Sequence, residues 1–219
     1  MIDYYGRRAE EYEQIYKKPE RQTDLIQLDR WLCNQLRQKK ILEVACGTGY
    51  WTYILATIAS SIVAVDASPE VLRIAESKTY PPERVRFQQA DAYHLEDVQG
   101  SFDAVFAGFW WSHVPLAEHD TFLTGLHHRL GRGHLVVMVD NRFVQGSSTP
   151  ISRKDAGGDT YQSRILRDGT HHEVVKNFPS RLELETVFGK HGAQLQILEL
   201  EYYWAVRYFV DDDKITPSD

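Results

Sequence analysis

The chain has 219 residues, 42% hydrophobic and 26% charged, with a formal net charge of −6. That length suits one domain with a full core, and the acidic balance argues against a protein that grips nucleic-acid phosphates through a basic face. No apolar run approaches the ~20 residues of a membrane helix, the charged start M-I-D-Y-Y-G-R-R lacks the apolar stretch of a secretory signal, and Cys33 and Cys46 are the only cysteines, which points to a reduced, cytoplasmic protein and not to a disulfide scaffold.

In chain order, Y-Y-G-R-R-A-E-E-Y-E-Q-I-Y near the start reads as an amphipathic helix. Residues 41–45 are a buried strand running into Cys46-Gly47-Thr48-Gly49. Ile54, Leu55 and Ile58 have helical spacing over 52–59. The run I-V-A-V at 62–65 is a second strand and ends on Asp66. Ser68-Pro69 then reads as an N-cap followed by Pro at the first helical position. Val85 and Phe87 mark a third strand leading to Asp91, Ala104-Val105-Phe106 a fourth, and Leu135–Val139 a fifth. Between the last two, Phe122, Leu123, Leu126 and Leu130 have helical spacing, and His127-His128 on that helix is expected at the surface. Strands that alternate with helices and are nearly all apolar predict a doubly wound α/β fold with a mostly parallel sheet covered on both faces.

Past Asp140 the pattern changes. Residues 141–159 read as a long loop. Residues 160–177 read as a β-hairpin around R-D-G-T, since Asp-Gly favours a tight turn. Pro179-Ser180 opens a helix, two strands follow over roughly 195–201 and 203–210, and D-D-D-K-I-T-P-S-D reads as a frayed tail. The aromatic stretches 202–204 and 208–209 suit either core strands or a dimer face, so monomer and homodimer are both open. The whole chain, 1–219, is expected to be one domain.

Glycines at the end of one strand and an acid at the end of the next have a physical use. Glycine lets a ligand approach the backbone, the next helix offers its free N–H groups, and the acid is placed to accept hydrogen bonds from a ribose diol. The pattern predicts an adenosine-type ligand. A dinucleotide site would need a third glycine, and Thr52 stands there; a phosphate-binding G-K-[ST] loop is absent.

The stretch E-V-A-C-G-T-G, with Asp66, Asp91 in Q-A-D-A, and S-F-D-A-V-F-A-G-F containing Asp103, resembles the class I S-adenosylmethionine-dependent methyltransferases from Ile41 to about Asp140. The resemblance implies a Rossmann-like, seven-stranded sheet whose last strand is antiparallel. It also implies S-adenosylmethionine as cofactor, with S-adenosylhomocysteine as product. It assigns the methionine amino group to Glu43, room for the methionine part to Gly47 and Gly49, the ribose to Asp66, and the adenine to Asp91 and Ala92. Ala45, Ala67 and Gly108 complete the expected cofactor contacts. Residues 1–38 would form a helical lid carrying Tyr5, Tyr12 and Tyr16, with Arg21 on the methionine carboxylate. Residues 41–140 would be the cofactor half, 141–178 an insertion capping the acceptor site, and 179–210 the closing helix and strands.

Methyl transfer from a sulfonium expels a neutral leaving group, so the protein must align the nucleophile and, for a poor one, remove its proton. No metal is obligatory. His113 in F-W-W-S-H-V follows strand four and is the candidate base; Trp110 and Trp111 beside it are candidate walls of an acceptor pocket. Asn141 and Arg142 follow strand five, and Arg142 suits an acidic acceptor. The insertion contributes Tyr161, Arg164, Arg167, His171, His172 and Glu173. His171 and His172 point to opposite faces of a strand and make a poor chelate. A small-molecule acceptor is expected, taking the methyl on O, N or C. RNA or protein is the alternative, favoured if Arg142, Arg153, Lys154, Arg164 and Arg167 form one basic stripe. An NAD-dependent oxidoreductase and a non-catalytic cofactor-binding domain are the further rivals.

Overall fold

The computed structural model describes residues 9–165 and 169–211. Tyr5, Arg167, the side chain of Tyr12 and the expected tail from 212 onward lie outside the described residues. A short-pitch helix, Ala9–Lys17, and a single turn, Pro19–Arg21, lead into α1, Gln22–Leu36. Leu28, Leu32 and Leu36 recur at helical spacing and are fully buried. Each contributes roughly 1.5–3 kcal/mol of burial, so α1 is a layer of the core and not part of a lid.

The strands β1 (Lys40–Val44), β2 (Ser61–Asp66), β3 (Val85–Gln89), β4 (Ala104–Gly108) and β5 (Leu135–Asn141) are parallel. A short sheet follows: β6 (Arg153–Lys154), β7 (Thr160–Ile165) and β8 (His171–Val175), all antiparallel neighbours. The last two strands, β9 (Gly192–Glu199) and β10 (Tyr203–Val210), return to the main sheet, which has seven strands in the order β3-β2-β1-β4-β5-β10-β9. β10 is antiparallel to both its neighbours. The expected fold is therefore the observed one. The order reverses between β1 and β4, and ligands of open parallel sheets bind beyond the strand ends at such a point.

Helices α2 (Tyr50–Leu55), α3 (Pro69–Glu76), α4 (His119–Leu130) and α5 (Arg181–His191) complete the layers. Ser68 caps α3 through its hydroxyl, and Ser180 with Glu183 forms a reciprocal cap on α5. One core unites α1, α2 and Phe106 with Val137; the other unites α4 and α5 with Val136, Trp204 and Tyr208. The C-terminal aromatics Tyr202, Tyr203, Trp204 and Tyr208 are buried, which settles them as core. His127 is also buried, not at the surface: its Nε2 lies 2.8 Å from the Tyr208 hydroxyl. His128 is the exposed member of that pair.

Candidate active site

The turn after β1 is held by an exchange of backbone and acid. Ala45 adopts φ 53°, an unusual conformation for a residue with a side chain, and Cys46 donates its N–H to Val65. Asp66 at the end of β2 accepts the N–H of Gly47 at 2.9 Å and that of Ser68 at 3.0 Å. Burial raises its pKa despite those bonds. A carboxylate offers about four acceptor positions, so acceptor capacity remains for a diol.

The two glycines differ. A side chain on Gly47 (φ 56°) would enter open space, whereas one on Gly49 (φ 76°) would meet Ala75 Cβ at 2.9 Å and the Tyr80 hydroxyl at 2.8 Å. Gly47 thus leaves room beside the turn, and Gly49 lets α2 pack against α3. Gly108 is likewise hemmed in, by Phe106 and Trp51.

Glu43 is 2% exposed, and its Oε2 has no hydrogen-bond partner among the described residues. Burial pushes its pKa up to about 8. An orphaned carboxylate oxygen at a strand end is costly unless a donor or cation meets it. Asp91 is exposed and accepts the N–H of Tyr93, while Ala92 beside it is buried.

The N-terminal segment lies over this turn. Tyr16 is buried and stacks on Tyr50 with ring centroids 3.7 Å apart, and its edge meets Trp51 and Phe109. Thr48 donates its hydroxyl to Glu13 at 2.9 Å, and Lys78 pairs with the same oxygen.

Beyond β4 and β5 lies a second space, a cleft of about 740 Å³ with its open mouth included, where the N-terminal segment faces the insertion. Phe109, His113, Asn141, Lys18 and Arg21 line it, together with Ser147–Thr149, Gln162, Arg164 and Lys176. His113 Nδ1 lies 2.7 Å from the Val175 carbonyl, which can only accept, so the proton sits on Nδ1. Burial, then the nearby Lys176 ammonium, lowers the His113 pKa to about 3. The insertion is bolted down beneath it: Asn177 donates to the Ser112 carbonyl and to Asp159, and Lys176 reaches Ser112 and Asp140.

Of the expected acceptor residues, His113, Asn141 and Arg164 line the cleft, whereas Trp110, Trp111, Arg142 and Tyr161 do not. Trp111 is buried in the core, stacked on His119 with centroids 4.0 Å apart. Trp110 packs against Tyr93. Arg142 turns outward to the Leu200 carbonyl and Glu199. Tyr161 bonds Asp155 and carries the Arg153 guanidinium on its ring, 3.4 Å from the centroid. Arg153 pairs with Glu173. The expected basic stripe is thereby split, since Arg164 faces the cleft while Arg142 and Arg153 are satisfied elsewhere. Arg21 reaches Ser147 and Asn141 and stacks over Tyr202 and Tyr203. Lys18, Gln162, Ser147 and Lys176 are cleft residues that the sequence pattern did not single out.

A family model described as a methyltransferase domain matches residues 41–133. The solved complex of DhpI with SAH is 26% identical with a TM-score of 0.76, covering 94% of this chain and 93% of that one. In sequence and fold the chain is thus similar to methyltransferases. The DhpI complex with SAM and HEP is as similar, with a TM-score of 0.74 over 94% of both chains. Two relatives from Staphylococcus aureus are named demethylmenaquinone methyltransferase. The one from strain JH9 is 28% identical over 209 residues, 83% of this chain and 82% of its own; the one from strain MRSA252 is 28% identical over 141 residues, 59% of this chain and 58% of its own.

The residues present here suit S-adenosylmethionine, the ligand named in the second DhpI complex. The unpartnered Glu43 oxygen suits an ammonium group, the open side of Gly47 suits a chain passing the turn, and the spare acceptor positions of Asp66 suit a ribose.

Proposed function

We propose that the protein transfers the methyl group of S-adenosylmethionine to a small molecule held in the cleft between the N-terminal segment and the 141–178 insertion. The observation that carries this reading is the position of Phe109. It lines the cleft and at the same time stacks with Trp51 and touches Tyr16 above the glycine turn. Donor and acceptor spaces are thus neighbours along one strand edge. The cofactor supplies an electrophilic methyl on a cationic sulfur. Glu43 would hold its amino group, Asp66 its ribose, and Asp91 with Ala92 its adenine; Ala45, Ala67 and Gly108 would line the path, and Tyr16 would cover it. Arg21, which reaches Asn141, would meet a carboxylate at the border of the two spaces. His113 and Asn141 would orient the acceptor. With Nδ1 protonated, the Nε2 of His113 is an acceptor, and it orients a hydroxyl better than it removes a proton, because its pKa is so low.

Titration calorimetry with S-adenosylmethionine and S-adenosylhomocysteine tests the donor half. Micromolar binding is expected for the wild type, with a loss of at least about tenfold in Asp66→Ala and Glu43→Gln, the cost of removing one charged hydrogen-bond partner. Absence of binding to both compounds, in a folded sample, defeats the proposal.

A further inference from the structure

Resting on the reading above, we propose that the acceptor is a small acid whose oxyanion seats on Arg164, Arg21 and Lys18. Four cationic side chains line the cleft, and among the described residues no Asp or Glu lines it. Lys176 is neutralised by Asp140 at 3.1 Å. The other three are not paired with acid among the described residues. Lys18 donates to the Ser147 carbonyl, Arg21 to the Ser147 hydroxyl and Asn141, and Arg164 to Thr149 and Gln162. Glu20 reaches Ser147 from the exposed side and completes no ion pair with them.

Such a cluster is unexpected in a chain with 31 acids and 25 Lys and Arg. The cations repel one another: burial, and after it the Arg21 charge, lowers the Lys18 pKa, and Arg164 adds to the effect, while the nearby Glu20 charge pulls against it without reversing it. Arg21 is 7% exposed and held against two tyrosine rings, so it cannot swing away to solvent. Fixed guanidinium groups with neutral partners are preorganised for bidentate contact with carboxylate or phosphoryl oxygens. One methionine carboxylate would offset one of three charges. An uncharged quinol would offset none, so the cleft differs in chemistry from what the name of the Staphylococcus relatives suggests.

The test uses the full chain saturated with S-adenosylhomocysteine. Malonate, inorganic phosphate, methylphosphonate and uncharged 1,4-naphthalenediol are titrated by calorimetry. At least one anion is expected to bind without displacing the nucleoside, more weakly as salt is raised, and about tenfold or more weaker in Arg164→Gln with nucleoside affinity unchanged. Malonate against the two phosphorus acids separates a carboxylate from a phosphoryl acceptor. Lys18→Gln serves as the second variant if Arg164→Gln unfolds. Binding of the diol with no anion bound overturns the proposal, and so does competition of every anion with S-adenosylhomocysteine, which would assign the cations to the cofactor carboxylate. Failure of S-adenosylhomocysteine itself to bind instead defeats the function reading, and the two failures are thereby distinguished.

Discussion

Asp140, near the end of β5, and Lys176, just past β8, form an ion pair with both side chains buried, Oδ1 to Nζ 3.1 Å. Asp140 also accepts the N–H and hydroxyl of Ser112 and the N–H of Asn141. Burial alone would raise its pKa, but the Lys176 ammonium and the donated hydrogen bonds hold it below the usual value. The pair joins the insertion to the sheet. Lys176→Met should therefore cost about 3–5 kcal/mol, because it strands a buried carboxylate. Lys176→Met with Asp140→Asn should recover part of that loss. Denaturant melts of the three proteins check this; a single variant as stable as wild type contradicts it.

His113 yields a prediction about protonation. Its pKa of about 3 lies below the ordinary value because burial, and next Lys176, disfavour the imidazolium. A base depressed in the folded state makes the unfolded chain bind the extra proton, so stability falls as pH drops below about 6.5. Nitrogen-15 NMR of labelled histidine should show His113 neutral, with the proton on Nδ1, throughout pH 5–8. A midpoint near 6.5 for this residue would refute the assignment.

The fold was legible because its signals are local. Apolar runs gave the parallel strands, Ser68-Pro69 an N-terminus, and Asp66 a place at a strand end. The cleft was less so. Lys18 meets Ser147 and Arg21 meets Asn141 across more than a hundred residues, and nothing local encodes such encounters. Two misses did carry a signal. Lys176 follows Val174 by two residues and so continues the buried face of the β8 strand. His127 follows Leu123 by four, on the apolar stripe of α4. Trp110 and Trp111 lie on a turn, where neither helical nor strand periodicity says which ring faces the core.

Gly47 and Gly49 should respond differently to the same substitution. Gly49→Ala places a methyl within 3 Å of Ala75 and Tyr80 at a left-handed φ, so it should destabilise by about 2 kcal/mol or more. Gly47→Ala meets nothing, and only its left-handed φ costs, about 1 kcal/mol. Its larger effect should fall on S-adenosylhomocysteine affinity, since the methyl occupies the open side of the turn. Thermal melts beside calorimetry separate the two. Equal stability losses with equal affinity losses would show that the glycines share one role.

Glu43 couples cofactor binding to pH. Its carboxyl titrates near 8 in the folded protein against an ordinary value of 4.5, because burial penalises the charged form. A pKa raised on folding contributes stability that is fully present below 4.5 and is lost as pH rises through about 8. The cofactor-free protein should thus weaken between pH 5 and 9, and Glu43→Gln, which cannot ionise, should lose that part of the slope. Bound S-adenosylmethionine brings an ammonium group that favours the carboxylate, so binding to the wild type should release a proton near neutral pH. Calorimetry in buffers of different ionisation heat measures that proton. Its absence in the wild type, or its persistence in Glu43→Gln, would place the amino group elsewhere.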